Sequence, residues 1–246
     1  DVRSFLEEQL DKYFTISLAT DGLEGWNIAT KENFDLIICD VMMPKMDGYE
    51  ITEKLKTDLE TSHIPIILLT AHSSIEHRLE GINVGADSYI TKPFSTKYLI
   101  SRIIKLIEQR EKLQYKFAHE PGEIPITITT SNKDNEFISK ISKIIENHLD
   151  NPDFSIDDFA KEANMGRTLF YKKIKAITNL SPNEYLRIVR LQKAALLLQS
   201  TDLNISEIAY KVGFNDPYYF SKCFKEQFKT TPSQFRHKVE KESSNN

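Results

Sequence analysis

The chain has few cysteines and no long apolar run, and these shortages exclude whole classes of protein. Its two cysteines, Cys39 and Cys223, show neither metal-ligand spacing nor the number typical of a secreted disulfide framework. The apolar run at residues 64–69 is far shorter than the roughly 20 residues that cross a bilayer. No secretory signal precedes it. We therefore expect a cytoplasmic protein that makes no membrane contact through this chain.

Charge is unevenly distributed along the chain. Residues 1–118 carry 14 Lys and Arg against 19 Asp and Glu, whereas residues 119–246 carry 18 against 17. The basic excess lies within residues 166–193, which hold seven Lys and Arg and a single acid, Glu184. Such a cluster is typical of a surface that binds a polyanion, although a solvated charged face has the same composition. The six histidines show no recurring ligand spacing, so we assign them no metal or catalytic role.

The first half alternates short β-rich runs with stretches of helical periodicity. Strands are predicted at "TISLA", "LIICD", "IPIILLT" and "SYIT", with helices between them, including one near residues 75–84 and a long one from Ser95. Such alternation is typical of βαβ units, so we predict a doubly wound α/β fold with a parallel sheet. Because the chain starts at Asp1, within a helical stripe and without a preceding strand, we expect it to be part of a longer protein.

Three polar residues lie at the carboxyl ends of predicted strands: Asp40, Thr70 and Lys92. The carboxyl ends of parallel strands meet at one edge of the sheet, where ligands and chemistry gather. We therefore expect these side chains to converge. A carboxylate at such an edge can be a ligand, a nucleophile or a helix cap, or it can have no functional role. Asp47, before Gly48, is predicted to cap a turn or helix instead, because no strand precedes it.

A change of composition separates the two halves of the chain. Residues 118–133 contain prolines, a glycine and polar side chains, which favour a connector. We predict one domain over residues 1–117, then this linker, a helical domain over residues 134–239, and a disordered tail over residues 240–246.

The second half contains an internal repeat. Apolar and basic residues of the segment 156–182 recur further along the chain, at an offset of 49 and then of 50. Each copy opens with a helix-start signature, Ser155 with Asp158 and Asn204 with Glu207. Each copy is therefore predicted to be a short helix, a tight turn and a second helix. The domain as a whole would be all-α, with two helix-turn-helix motifs.

The second helix of each motif is a candidate for reading DNA. A helix-turn-helix leaves one side of this helix free to enter the major groove, where cationic, hydroxyl and aromatic groups contact phosphates and bases. A connecting helix over about residues 182–198 would be about 25 Å long, which suits two adjacent major grooves. The alternative to a DNA-binding domain is a helical bundle that has a basic face and does not bind DNA. The predicted reading residues are Arg167, Thr168, Tyr171, Lys172 and Lys175 in the first copy, and Tyr218, Ser221, Lys222 and Lys225 in the second.

The stretch "NISEIAYKVGFNDPYYFSKCFKEQFKTTPSQFR" resembles the second helix-turn-helix and signature of AraC/XylS-type DNA-binding domains. The resemblance covers about residues 137–239. It implies sequence-specific binding of duplex DNA and transcriptional regulation, usually activation. One departure is Gly166, which stands where a serine helix cap is more usual.

The motifs "DVMMPKMDG", "LLTA" and "ITKPF" resemble those of the receiver domain of two-component response regulators. The resemblance implies that Asp40 is a phosphoacceptor and that a histidine kinase supplies the phosphoryl group. It further implies that the Thr70 hydroxyl follows the phosphoryl group, that Lys92 is its cationic partner, and that Tyr89 is a rotating switch. A cis peptide bond is expected before Pro93.

The same resemblance implies a Mg²⁺ ion, which prefers oxygen ligands. Asp40 and the backbone carbonyl of Met42 would bind it, and the remaining ligands, two acids, are expected upstream of Asp1. A flavodoxin-like sheet of order 2-1-3-4-5 is implied as well, with its first strand absent from this chain. We therefore expect poor folding of the first half, and inefficient phosphorylation, in this chain alone.

Together these features predict a phosphorylation-controlled regulator of transcription, and not an enzyme. Receiver pairing would give a homodimer on repeated DNA sites. RNA polymerase is a candidate partner, and a hybrid sensor kinase tethered to the inner membrane is a candidate parent. Two alternatives remain open. One is an aspartyl-phosphate hydrolase, although the residue two after the nucleophile is Met42 and not a second acid. The other is an interaction adaptor whose receiver takes no phosphate.

Overall fold

A parallel sheet forms the centre of the first half of the chain. The computed structural model describes residues 2–71, 83–120 and 131–244. Within these ranges the sheet has three strands in the spatial order β1-β2-β3. The strands are β1 (Ile37–Asp40), β2 (Ile66–Thr70) and β3 (Ser88–Thr91).

Strand β2 lies between the other two and is buried along its whole length. Its side chains alternate between the two faces of the sheet, as those of any strand do. Ile67 and Leu69 pack into one apolar core, and Ile66 and Leu68 into another. Both faces are therefore covered, which confirms the predicted doubly wound α/β fold.

Helices cover both faces of this sheet. One core takes apolar residues from the first and fourth helices of the described chain, and the other takes them from the second and third. Asp21 caps the second helix, and Asp47 forms a reciprocal capping box with Glu50 on the third, as expected for Asp47. The four helices are α1 (Val2–Leu10), α2 (Gly22–Ala29), α3 (Gly48–Thr57) and α4 (Thr96–His119).

The prediction of a strand at "TISLA" is wrong, because residues 15–19 form no strand. A strand is stabilised by pairing, and among the described residues this segment forms no ladder with β1. In the 2-1-3-4-5 order that the resemblance implies, these two segments are not neighbours, because a further strand lies between them. The helix predicted near residues 75–84 lies almost wholly outside the described residues, as does the centre of the predicted linker.

Every regular element that the structure describes in the second half is a helix. The residues predicted to start helices do so: Ser155 accepts a hydrogen bond from the backbone N–H of Asp158, and Asn204 forms a capping box with Glu207. The helices are α5 (Asn132–Asn147), α6 (Ile156–Glu162), α7 (Arg167–Thr178), α8 (Pro182–Ser200), α9 (Ile205–Lys211), α10 (Pro217–Phe228) and α11 (Pro232–Ser244).

The predicted repeat is present as two helix-turn-helix motifs, each with its own apolar core. Phe159 of α6 and Phe170 of α7 pack edge to face in the first core, with ring centroids 4.8 Å apart. Ile208 of α9 and Phe220 of α10 are buried in the second core. Helix α8 joins the motifs and contributes side chains to both cores, which confirms the all-α architecture.

The chain divides into two compact units, residues 1–111 with 129–134, and residues 112–128 with 135–246. The predicted domain boundaries remain predictions. Helix α11 continues to Ser244, whereas the sequence predicts disorder from residue 240. Across the described parts of the chain, no helix is long and apolar enough to span a membrane.

Candidate functional site

The ends of the three strands bring Asp40, Thr70 and Lys92 to one edge of the sheet. Asp40 is the last residue of β1 and Thr70 the last of β2. The backbone N–H of Lys92, which directly follows β3, donates to the carbonyl of Thr70 at 2.6 Å. Parallel register therefore produces the convergence that the sequence predicts.

The Asp40 carboxylate is held from two sides. The Lys92 ammonium donates to Asp40 Oδ2 at 2.5 Å, and the backbone N–H of Met42 donates to Oδ1 at 3.2 Å. The side chains of Asp40 and Lys92 are 29% and 23% exposed. This carboxylate is therefore fixed in position and still open to an incoming group. The peptide bond between Lys92 and Pro93 is cis, as expected.

The loop after Asp40 depends on a glycine at its end. A Cβ atom on Gly48 would lie 2.4 Å from the carbonyl oxygen of Asp40 and 2.7 Å from the Cα atom of Val41. The N–H of Gly48 also donates to the carbonyl of Val41 at 2.9 Å. The start of α3 thus packs directly against the strand end that carries Asp40, which a larger residue would prevent.

An ion pair between Asp21 and Lys45 supports the same loop, and it was not predicted. Lys45 Nζ lies 2.5 Å from Asp21 Oδ2, and the other Asp21 oxygen accepts from the N–H groups of Leu23 and Glu24. The hydrogen bond from Lys45 lowers the pKa of Asp21 below its ordinary value. Lys45 has a left-handed backbone, with φ of 67°. No local pattern in the sequence indicates this pair, because its members lie 24 positions apart.

The predicted switch residue Tyr89 also has a partner that was not predicted. Its hydroxyl oxygen lies 2.8 Å from that of Tyr49, in the first turn of α3. Tyr89 belongs to β3 and is only partly buried. A residue beside the Asp40 loop is therefore hydrogen-bonded to the predicted switch.

Oxygen atoms at the strand edge fit part of a Mg²⁺ site. Mg²⁺ binds proteins through one or two carboxylates and retains several waters. Each carboxylate oxygen of Asp40 accepts a hydrogen bond and keeps further lone pairs that could bind a metal. The backbone carbonyl of Met42, two residues further along the chain, is a second oxygen near this edge. Among the described residues, no group of three or more His, Cys, Asp and Glu could hold a metal.

Helices α7 and α10, the second helices of the two motifs and the candidates for reading DNA, are called the reading helices. They present most of the residues predicted to contact DNA to solvent. On α7, Phe170 and Ile174 are fully buried, and on α10, Phe220 and Phe224 are buried as well. The opposite faces are exposed, apart from Ser221, which is partly buried. The exposed reading residues are Arg167, Thr168, Tyr171, Lys172, Lys175, Tyr218, Lys222 and Lys225.

Helix caps start the two reading helices in different ways. Asp216 accepts from the N–H of Tyr218 at 2.9 Å, whereas Gly166 provides no side-chain cap to α7. Arg167, at the start of α7, forms an exposed ion pair with Asp157 of α6 at 3.1 Å.

The basic cluster of residues 166–193 is smaller at the surface than its composition indicates. Lys173 is 2% exposed and Arg190 8% exposed, so neither is available to a polyanion. Arg190 instead donates to the backbone carbonyls of Gly213 and Asn151. Lys193 forms an ion pair with Glu146 at 2.7 Å. Arg190 and Lys193 therefore connect parts of the second unit. The basic residues of the cluster that are exposed lie on α7 and at Arg187 of α8.

Comparison with protein families assigns both halves. Residues 1–104 match the response regulator receiver domain. Residues 159–238 match a helix-turn-helix domain.

Individual relatives match this chain over different shares of its length. Histidine kinase P4 of Formosa agariphila is 41% identical over 237 residues, which make up 96% of this chain and 17% of that protein. The probable transcriptional regulator ycf29 of Pyropia yezoensis is 31% identical over 197 residues, covering 74% of this chain and 87% of that protein. The structure of the Francisella response regulator 1452 receiver domain is 32% identical and covers 44% of this chain and 88% of that one, with a TM-score of 0.42.

The class defined by this fold and these matches is a receiver domain joined to a helix-turn-helix domain. The chain belongs to the response regulators, with an AraC-type helix-turn-helix domain after its receiver. It spans only 17% of the length of the Formosa agariphila kinase.

Proposed function

We propose that Asp40 accepts a phosphoryl group from a histidine kinase, and that this modification controls DNA binding by α7 and α10. The observation that carries the proposal is the ion pair between Lys92 Nζ and Asp40 Oδ2, 2.5 Å apart at a partly exposed strand end. An ammonium at this distance offsets the negative charge that a phosphoryl group brings to a carboxylate.

The transfer needs a nucleophile and a leaving group. A carboxylate oxygen of Asp40 forms a P–O bond while the P–N bond of the donor phosphohistidine breaks. The imidazole nitrogen leaves with the electron pair and takes a proton from solvent. The Lys92 side chain pairs with the phosphoryl oxygens, and the Met42 N–H holds the carboxylate in place while its oxygen attacks phosphorus.

Mg²⁺ is the cofactor that this chemistry favours, because it would neutralise part of the charge on the phosphoryl oxygens. Asp40 and the backbone carbonyl of Met42 would hold it. The remaining oxygen ligands are proposed to be acids upstream of Asp1. Such a site is common for phosphoryl transfer, where Mg²⁺ is bound by one or two carboxylates together with the phosphate.

Thr70 and Tyr89 are proposed to transmit the modification. The Thr70 hydroxyl would move to the phosphoryl group, and Tyr89 would turn into the space that it leaves. The charge added at Asp40 would thereby shift the equilibrium between the two positions of the Tyr89 side chain. Receiver pairing in the altered state would place two DNA-binding units on repeated sites and raise their effective concentration. Activation through RNA polymerase is part of this proposal.

The reading helices are proposed to enter successive major grooves. Their exposed lysines and arginine suit phosphates and guanine, and the tyrosine rings of Tyr171 and Tyr218 suit thymine methyl groups. Tyr218 is 81% exposed, and such exposure of a large apolar ring favours a contact surface.

Phosphorylation is tested by the Asp40→Asn variant of the full-length protein. We expect acetyl phosphate to label Asp40 in the unaltered protein, as located by peptide mapping, and to change its affinity for promoter DNA. Asp40→Asn should abolish both effects. Asp35→Asn is the matched control, because Asp35 is exposed near the opposite end of the same strand. Labelling at another residue, or a phosphate response that survives in Asp40→Asn, contradicts the proposal.

DNA binding is tested by its salt dependence. A lysine that contacts a phosphate contributes to the slope of log affinity against log salt concentration. We expect Lys172→Gln to reduce this slope by about 1. Lys143→Gln, an exposed lysine on α5, should leave the slope unchanged. Equal slopes in all three proteins would exclude Lys172 from the phosphate contacts.

The two alternatives give different results in these assays. A hydrolase would release phosphate repeatedly from small phosphate esters, but Met42 offers no second acid for this chemistry. An adaptor would bind its partners equally well with and without acetyl phosphate. We propose that the chain is not an enzyme apart from its own phosphoryl transfer.

A further inference from the structure

The last two turns of α4, residues 112–119, are built into the second unit. We call these residues the α4 tail. Phe117 and Ala118 within it are 1% and 7% exposed. If this helix end only led into a linker, the side chains of Phe117 and Ala118 would be expected to be exposed to solvent.

The α4 tail contributes to the core of the first helix-turn-helix motif. The ring of Phe117 stacks on that of Tyr185 in α8, with centroids 5.4 Å apart and planes inclined by 24°. Phe117 and Ala118 share this core with residues of α5, α6 and α7. Gln114 of the tail donates through Nε2 to the carbonyl of Ile177, in the last turn of α7, at 2.8 Å. The tail is therefore attached to the end of the first reading helix.

The second helix-turn-helix motif is attached to the same tail. The last carbonyls of a helix lack partners within the helix. Here Gln192 of α8 donates to the carbonyl of Phe117 at 2.6 Å, and Gln227 of α10 donates to that of Ala118. Gln192 is 2% exposed. Gln227 lies in the last turn of the second reading helix, so both reading helices are hydrogen-bonded to one eight-residue segment.

We propose that the α4 tail is a brace that fixes the separation of the two reading helices. The two motifs have separate apolar cores joined by α8, and the tail supplies a second connection between them. A fixed separation means that the chain binds two half-sites best at one spacing along the DNA. Gln192 and Gln227 are positioning residues in this proposal. It rests on the proposed DNA binding and adds a determinant of spacing specificity.

The test compares DNA duplexes that differ only in the distance between half-sites. The probe is the duplex that the unaltered full-length protein enriches from a random pool, together with derivatives that have one base pair inserted or deleted between the half-sites. The variant is Gln192→Met with Gln227→Met, because methionine keeps the length of glutamine and removes the donor. Gln199→Met is the control, since Gln199 is exposed on the same helix as Gln192.

We expect the ratio of affinities for the enriched and shifted duplexes to fall by at least about fivefold in the double variant, the effect of one ordinary hydrogen bond. The control should keep the ratio of the unaltered protein. A merely structural role would lower affinity for all duplexes alike and leave the ratio unchanged. A ratio within twofold of the unaltered value would overturn the brace.

Two further outcomes separate this proposal from the one on which it rests. If the unaltered protein enriches no duplex, the proposed DNA binding fails. If it enriches a single half-site without preferred spacing, DNA binding stands and the brace is wrong.

Discussion

The hydroxyl oxygens of Tyr49 and Tyr89 lie 2.8 Å apart, and this hydrogen bond joins the helix after the Asp40 loop to strand β3. If Tyr89 is the switch, its rotation breaks this bond. Removing the Tyr49 hydroxyl should therefore favour the rotated state. A typical net value of about 1 kcal/mol corresponds to roughly a fivefold shift in the switch equilibrium.

We expect Tyr49→Phe to bind promoter DNA up to about fivefold more tightly without phosphate, and to bind like the unaltered protein when phosphorylated. A gel-shift titration with and without acetyl phosphate measures both values. Tyr98→Phe is the control, because Tyr98 is 56% exposed in the same unit. Equal affinities of Tyr49→Phe and the unaltered protein in both states would show that this bond does not bias the switch.

Lys92→Gln should slow the phosphorylation of Asp40 without much effect on stability. The ammonium stabilises charge that develops during transfer, and loss of one such donor typically costs about 100-fold in rate. The pair is partly exposed, so its contribution to folding should be below about 1 kcal/mol. Phosphate-affinity electrophoresis after acetyl phosphate treatment measures the rate. Lys97→Gln, an exposed lysine of α4, should label normally, and the prediction fails if Lys92→Gln does so too.

The ion pair of Asp21 with Lys45 should make stability depend on pH in the acid range. Lys45 lowers the pKa of Asp21 in the folded protein below the unfolded value of about 3.9. The stabilisation is therefore fully present above about pH 3.9 and is lost as the pH falls through the lower folded pKa.

Urea unfolding of Lys45→Gln and the unaltered protein tests this expectation. Trp26, the single tryptophan, reports the first unit by its fluorescence. The two midpoints should differ at pH 7, and their difference should shrink as the pH falls below about 3.9. Lys31→Gln, which replaces an exposed lysine, should follow the unaltered protein throughout. A midpoint difference that does not change with pH would exclude Asp21 as its source.

Gly213→Ala should destabilise the second unit. Gly213 has φ of +77°, and a Cβ atom there would lie 2.5 Å from the Leu149 carbonyl oxygen and 2.7 Å from Arg190 Cζ. The variant would strain the backbone and displace the buried Arg190, so we expect a loss of about 2 kcal/mol or more. Thermal unfolding followed by far-UV circular dichroism measures it.

A glycine in an open position provides the control for Gly213. At Gly166 a Cβ atom would meet nothing within 4 Å, and serine there can cap α7. Gly166→Ser should therefore be neutral or stabilise the unit by a few tenths of a kcal/mol. Equal melting temperatures for Gly213→Ala and Gly166→Ser would refute the predicted clash.

Several features of the candidate sites were open to prediction because they depend on neighbours in the sequence. The capping residues Ser155, Asn204 and Asp47 lie next to the helices that they start. The buried position of Lys173 had a local signal too, since it lies three residues after Phe170 and four before Ile177 on one helical face. Composition alone nonetheless includes the charge of Lys173 in the basic cluster, because composition does not distinguish buried from exposed residues.

Other features had no such signal. Arg190 is buried because two distant carbonyls, of Gly213 and Asn151, accept its hydrogen bonds. Residues 15–19 have the composition of a strand, but a strand also needs a neighbour, and composition contains no information about neighbours.

Short-range chemistry in the chain was therefore enough to specify the helix starts, the repeat, and the polar residues at the strand ends, because periodicity and capping act within a few positions. Packing between distant elements settled the rest. Gln192 and Gln227 lie 75 and 109 positions from the carbonyls to which they donate. Such pairs exist only after the helices have packed, because the free energy that selects them comes from burying surfaces that are remote along the chain.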